Sequence, residues 1–312
     1  MCVEGLLSEG HEKYVINTLS HALKIFKKHN IITTTINSNG IPRNFFDPGV
    51  DSLPFLLRAL RLAIENPKIK SIARNLRKEY KEFLEKQILL FLQWIDIETG
   101  LVKSNLKLST MKDHCNRLSS CYSNCMSGML SNEADKLKLT NPLGRFDYKA
   151  ILIENFYNGY YFDDDMCSDY ISGDANVFPF YCDIIDDPIL FKSCLRAIQQ
   201  DELDSPFPLR YTKEKIENRE NNILPMIVAP GYEDNTIWVH LGMCFLYTIA
   251  KFEPKMLDEY LVAYTTTIVR HKNFLEVFNS NGTPYTSFFY VADDSMSWAV
   301  MYLHLKEINK SL

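Results

Sequence analysis

HKNFLEVFNSNGTPYTSFFYVADDSMSWAVMYL, residues His271 to Leu303, carries one whole unit of the fold. A carboxylate, Glu276, stands among apolar residues at the end of a helix. The turn Asn279-Ser280-Asn281-Gly282 follows, with residue types that tolerate positive φ. The aromatic run Phe288-Phe289-Tyr290 comes next. Asp293-Asp294-Ser295 then predicts a new helix start, because short polar side chains accept hydrogen bonds from free first-turn N–H groups. That helix carries Trp298 and Met301.

The same plan recurs upstream. Turn glycines stand at Gly40, Gly100, Gly159 and Gly282, in steps of 60, 59 and 123 residues. The double step places a missing copy near Asn221-Asn222. Acids expected to open the following helices stand at Asp51, Asp113, Asp174, Asp234 and Asp294, in steps of 62, 61, 60 and 60. A fixed period of this length marks a repeat architecture. Each unit reads as an outer helix, a glycine turn, an irregular loop and an inner helix headed by Asp.

The intervening segments fit that plan. Residues 9–29 predict an amphipathic helix with Val15, Leu19, Leu23, Ile25 and Phe26 on or near one face. A helix from Asp51 to Glu65 holds Pro54 in its first turn, where proline is tolerated. Further outer helices are expected over 68–95, 146–157 and 254–272, and a short one over 187–200. The inner segment 113–137 is rich in small residues, which let helices approach closely. Ser205–Tyr232 reads as a long loop. The expected fold class is all-α, an α/α toroid of helical hairpins forming a single domain over 1–312.

Bulk properties narrow the function. The net charge of −5 gives no basis for a nucleic-acid partner. No run of about 18 apolar residues is present, so no membrane span is expected. The N-terminus lacks a basic region followed by an apolar core, so no signal peptide is read. The 8 cysteines fall mostly in helical runs without disulfide-scaffold spacing, which fits a reducing, cytoplasmic setting. Cys121 and Cys125 share a helix face, yet they read as small buried residues, and neither a metal nor a cofactor is expected.

The loops before the inner helices collect aromatics and acids. Phe45, Asp51, Tyr161, Asp174, Phe178, Tyr232, Asp234, Trp238, Phe289 and Trp298 are the expected substrate-binding set. Aromatic faces stack on sugar rings and carboxylates bind hydroxyls, so a small carbohydrate is the expected ligand.

The final hairpin resembles that of the six-hairpin glycosidases, the α/α toroids that include glucoamylase-type, trehalase, neutral invertase and glucosylglycerate hydrolase enzymes. The matching residues are Phe274-Leu275-Glu276-Val277-Phe278, Asn279-Ser280-Asn281-Gly282-Thr283-Pro284 and Ser297-Trp298-Ala299. A second match, TMKDHCNRLSSCYSNCMSGMLSNEADKL, resembles the family segment in which an acid heads an inner helix, here Asp113. The resemblance implies an inverting hydrolase of a small α-glycoside, with Glu276 as base and Asp113 as general acid. Inversion requires room for a water between the two carboxyls, roughly 6.5–9.5 Å.

Two departures accompany the resemblance. Five hairpins are visible where the family has six, and the missing one would precede residue 9. That gap predicts exposed Leu19, Leu23 and Met301, or their burial against a second copy of the chain. In addition, no tryptophan flanks Asp113. A degenerate carbohydrate-binding toroid is therefore an alternative. So is a sugar epimerase using His114 and His240, since paired histidines can act as base and acid. Asp163, Asp164, Asp165 and Asp169 form an aspartate-rich cluster of the kind that binds Mg²⁺-diphosphate, but in a loop instead of on the helix face such chemistry needs.

Overall fold

A computed structural model describes residues 1–45, 47–112, 115, 117–168, 170–214 and 227–311. The described residues are almost entirely helical or loop. Two compact units emerge: Val3–Asp113 with Leu118–Asn155, and His114–Arg117 with Phe156–Leu312.

The first unit holds α1 (Val3–Ser8), α2 (Glu12–His29), α3 (Ser52–Glu65), α4 (Lys70–Phe91), α5 (Cys121–Lys136) and most of α6 (Tyr148–Phe156). In α2, Val15, Leu19, Leu23 and Phe26 form the buried stripe, the spacing of an amphipathic helix. Asn30 ends that helix in the left-handed conformation. By contrast, α5 is buried around nearly its whole circumference and packs closely on α3. Its buried residues include Ser123, Ser127, Gly128 and Ser131. Cys121 and Cys125 are both fully buried there.

The second unit holds α7 (Gly173–Tyr181), α8 (Pro188–Gln200), α9 (Val239–Phe252), α10 (Leu257–His271) and α11 (Ala299–Ser311). Every residue of α7 is buried. α9 packs on α7, α10 and α11. Gly242 allows a further close approach, since a Cβ there would lie 2.2 Å from the Pro208 ring.

The glycine turns share one construction. Gly40, Gly100, Gly159 and Gly282 all have positive φ, from 71° to 100°. The residue opening each turn, Asn37, Asp96, Asn158 or Asn279, donates its N–H back across the turn. A short ladder brackets each one: Ile36 with Pro42, Ile95 with Val102, Tyr157 with Phe162, and Phe278 with Pro284. The expected turn near Asn221-Asn222 lies outside the described residues.

Three inner helices start later than the acids suggest. α5 begins at Cys121, α9 at Val239 and α11 at Ala299. Backbone pairing in the preceding loops is the cause. Ser109 exchanges hydrogen bonds with Pro48 and Val50, and Ser119 sits at φ 50°. β3 (Ile237–Trp238) pairs antiparallel with β4 (Val277–Phe278). The Glu276 N–H binds the Asp293 carbonyl, the Met296 N–H binds Phe274, and Ser295 has φ 55°. Asp234 and Asp294 therefore lie upstream of their helices, whereas Asp51 and Asp174 stand at helix starts.

The expected exposure beside a missing hairpin is corrected. Leu19, Leu23 and Met301 are 4 %, 0 % and 0 % exposed. α2 packs on α1, α3 and α4, and α11 packs on α9 and α10. The short helix α1 has no counterpart in the sequence reading. No helix among the described residues is long and apolar enough to cross a membrane.

Candidate active site

Glu276 is the centre of the second unit's polar–aromatic cluster. Its backbone is fixed on both sides, since its carbonyl accepts the Val239 N–H and its N–H binds Asp293. The β3–β4 pair thereby holds Glu276 at the mouth of α9. Tyr232 donates to Glu276 Oε2 at 2.6 Å. Tyr290 donates to the same oxygen, and the two phenol oxygens lie 2.8 Å apart. Glu276 Oε1 receives no hydrogen bond from the described residues. One carboxylate oxygen is clamped and the other is not.

Both phenols are held in position. The Tyr232 carbonyl accepts the Trp238 indole N–H at 2.8 Å. Tyr290 closes a tight turn in which its N–H binds Ser287 Oγ at 3.0 Å. Burial first, and then the hydrogen bond to Glu276, push both phenols well above the usual tyrosine range. They remain donors at any physiological pH.

The rings continue inward from Tyr232. Trp238 meets it edge-on at 4.6 Å. His240 lies 5.0 Å from Trp238 and 4.8 Å from Trp298. Burial lowers the His240 pKa to about 3, although the charge of Asp174 opposes the shift. The imidazole is therefore neutral near pH 7.

Asp174 belongs to a buried ionic group. Arg117 Nη1 donates to Asp174 Oδ2 at 2.6 Å and to Asp164 Oδ1 at 3.0 Å. The Tyr170 hydroxyl donates to Asp164 Oδ2 at 2.7 Å. Ser172 Oγ lies 2.8 Å from Asp164 Oδ1 and 3.0 Å from Asp174 Oδ1. Burial alone would lower the Arg117 pKa, but the two carboxylates outweigh it and hold the guanidinium well above its ordinary value. Asp164 is thus committed to an ion pair. Asp165 accepts from the Cys167 N–H and the Ser168 hydroxyl.

The residues expected from sequence divide. Glu276, Tyr232, Trp238 and Trp298 join one cluster with His240, and the charge of Asp174 acts on His240. Phe178 has no exposed surface and packs edge-on against Tyr181, so it offers nothing to a ligand. Phe289 is 64 % exposed and meets Phe288 edge-on. Tyr161 and Asp234 are half-buried in turns, with their N–H groups bound to Asn158 and Gly231. Phe45 and Asp51 belong to the first unit, where Asp51 accepts from the Tyr122 hydroxyl at 2.8 Å. Asp113 and His114 lie outside the described residues, as do Phe46 and Asp169. The first unit also has a cavity of about 260 Å³ lined by Trp94, Phe91, Leu53, Gln87 and Asn44 among others, and none of the described residues of the expected site lines it.

Of the aromatic run Phe288-Phe289-Tyr290, it is Tyr290 and not Phe289 that reaches Glu276. Arg117 was not expected, yet it carried a usable signal, since a lone cation in a run of small residues must be paired if buried.

No family model matches the chain, and no curated protein matches it. Solved structures do. A rhamnosidase from Klebsiella oxytoca with rhamnose bound aligns at TM-score 0.61 and 11 % identity, covering 93 % of this chain. The chain spans about half the length of that enzyme, 53 %. An uncharacterized conserved protein from Thermus thermophilus aligns at TM-score 0.52 and 11 % identity, over 88 % of this chain and 82 % of that one. At such identity the likeness concerns the fold, which is all-α and of the α/α-toroid class.

Proposed function

We propose that the protein is an inverting glycoside hydrolase acting on a small α-glycoside, with Glu276 as the catalytic base. The Glu276 clamp carries this reading. Two phenols fix Oε2, so Oε1 can take a proton from the water that attacks the anomeric carbon. A second carboxyl must protonate the leaving oxygen. Asp174 is committed to Arg117 and Ser172, which makes it a positioning residue in this scheme. The acid is assigned to Asp113, from the resemblance of its segment. The likeness to a rhamnosidase fold supports a sugar-cleaving class, and an α-rhamnoside is the first substrate to try. The epimerase reading needs a histidine that titrates near neutrality, and His240 does not.

The test is turnover of aryl α-glycosides, with the product anomer followed by NMR. The anomeric configuration should invert. Glu276→Gln should lower kcat by about 10²–10⁴, the usual share of general-base catalysis, with little change in binding. Retention of configuration, or full activity in Glu276→Gln, overturns the assignment. Sugar binding without turnover would make the chain a carbohydrate-binding toroid.

A further inference from the structure

His240 presents an unsolved polar problem. Its side chain is 6 % exposed. Its Nδ1 is wholly buried and has no hydrogen-bond partner among the described residues. Leaving a buried polar atom unpaired costs on the order of 1–3 kcal/mol. Such groups are few in native proteins, and each calls for a reason. The neighbours of His240 do not supply a partner. Trp238 and Trp298 present rings at 5.0 and 4.8 Å.

Its location suggests what is missing. Trp238 contacts Tyr232, which holds Glu276, so His240 belongs to the same cluster. The charge of Asp174 also acts on His240, and Asp174 pairs with Arg117, which holds Asp164 as well. As a neutral buried ring, His240 brings no positive charge for an anionic ligand. A neutral imidazole offers one acceptor and one donor. A sugar hydroxyl can satisfy either, and the indole of Trp298 can cover the sugar's C–H face.

We propose that His240 binds a hydroxyl of the ligand's sugar ring, and that this sugar is uncharged. The inference rests on the glycosidase reading for the kind of ligand, but not on Glu276 being the base.

The experiment uses the full chain carrying Glu276→Gln, so that nothing is turned over. Tryptophan fluorescence is titrated with D-glucose, D-mannose, D-galactose, L-fucose and D-glucuronate. The monodeoxy analogues of the tightest sugar follow. The same series is run on His240→Phe and His240→Asn, each checked for folding by its thermal unfolding.

A neutral sugar should bind tighter than glucuronate. Both His240 variants should weaken it at least tenfold. One monodeoxy analogue should lose about tenfold against the parent and nothing further against His240→Phe, which identifies the hydroxyl. Equal affinity in parent and variants, preferred binding of glucuronate, or no binding of any sugar each overturns the inference. Glycoside turnover by the unmutated chain decides the enzyme reading separately. Turnover that persists beside unaltered binding in the variants would sink His240 alone. His240-dependent binding without turnover would sink the hydrolase alone.

Discussion

Ser120-Cys121-Tyr122-Ser123-Asn124 in the first unit and Ser172-Gly173-Asp174-Ala175-Asn176 in the second are built on one frame. Asn124 Oδ1 accepts the Val102 N–H at 2.9 Å. Asn176 Oδ1 accepts the Phe162 N–H at 2.8 Å. Each asparagine also donates back to the carbonyl of its frame serine. The inner helix is tied in both cases to the return arm of the preceding glycine turn. The serines then differ. Ser120 caps α5 by accepting the Ser123 N–H, whereas Ser172 makes no cap and turns its hydroxyl to Asp164 and Asp174. Scaffold positions are repeated in the two units, and chemistry enters where a residue departs from its scaffold role.

The largest test of that contrast lies at Arg117. Arg117→Met leaves two carboxylates buried without their cation. Breaking a buried pair from one side costs about 3–5 kcal/mol. Urea unfolding should show a loss of that order. A cost below about 1 kcal/mol, as for a surface pair, would mean that the ionic group is solvated and the contrast is wrong.

The two asparagines should behave alike. Asn124→Ala and Asn176→Ala each strand a backbone N–H and leave a gap, at an expected cost of about 2–3 kcal/mol. The sharper claim is that the two losses agree within about 0.5 kcal/mol, the scatter of independent sites. A large inequality, by the same urea assay, would show that the shared frame is only geometric.

The pH dependence should belong to the second unit. His240 has a folded pKa of about 3, below the ordinary value of about 6.5. The unfolded chain therefore binds the proton first, and the His240 contribution is complete above pH 6.5 and lost as pH falls toward 3. Linkage gives a loss of about 2 kcal/mol between pH 7 and pH 5. The charge of Asp174, which pairs with Arg117, acts on this imidazole. His240→Phe should flatten the profile. An unchanged slope would place the titration elsewhere.

What was legible in the sequence was periodic and local. The glycine turns and outer helices fell where φ preference and amphipathic spacing put them, at Gly40, Gly100, Gly159 and Gly282, and in α2, α4 and α10. The inner helix starts were misplaced wherever a loop made backbone pairs that no local pattern encodes. Ser109, Glu276 and Ser295 are the residues responsible. At the site, Glu276, Tyr232, Trp238 and Trp298 were legible by type and order. Adjacent residues in a tight turn point apart, and one-letter order does not say whether Phe289 or Tyr290 turns inward. Arg117 was overlooked because its partners lie 47 and 57 residues away.

The smallest expected effect separates the two serines. Ser120→Ala removes a helix cap, and such a loss is worth about 1 kcal/mol. It should lower stability by that amount and leave sugar binding unchanged, since among the described residues Ser120 bonds to Ser123 and Asn124 of α5. Ser172→Ala removes a hydroxyl from charged acceptors, a class of bond worth roughly 1.5–3 kcal/mol. It should also weaken sugar binding, because Asp174, whose charge acts on His240, would lose one of the groups that fix it. The decisive quantity is therefore the ratio of binding loss to stability loss, close to zero at Ser120 and clearly positive at Ser172. If Ser120→Ala weakens sugar binding as much as Ser172→Ala does, the two frames are not functionally distinct, and the site extends beyond the cluster around Glu276.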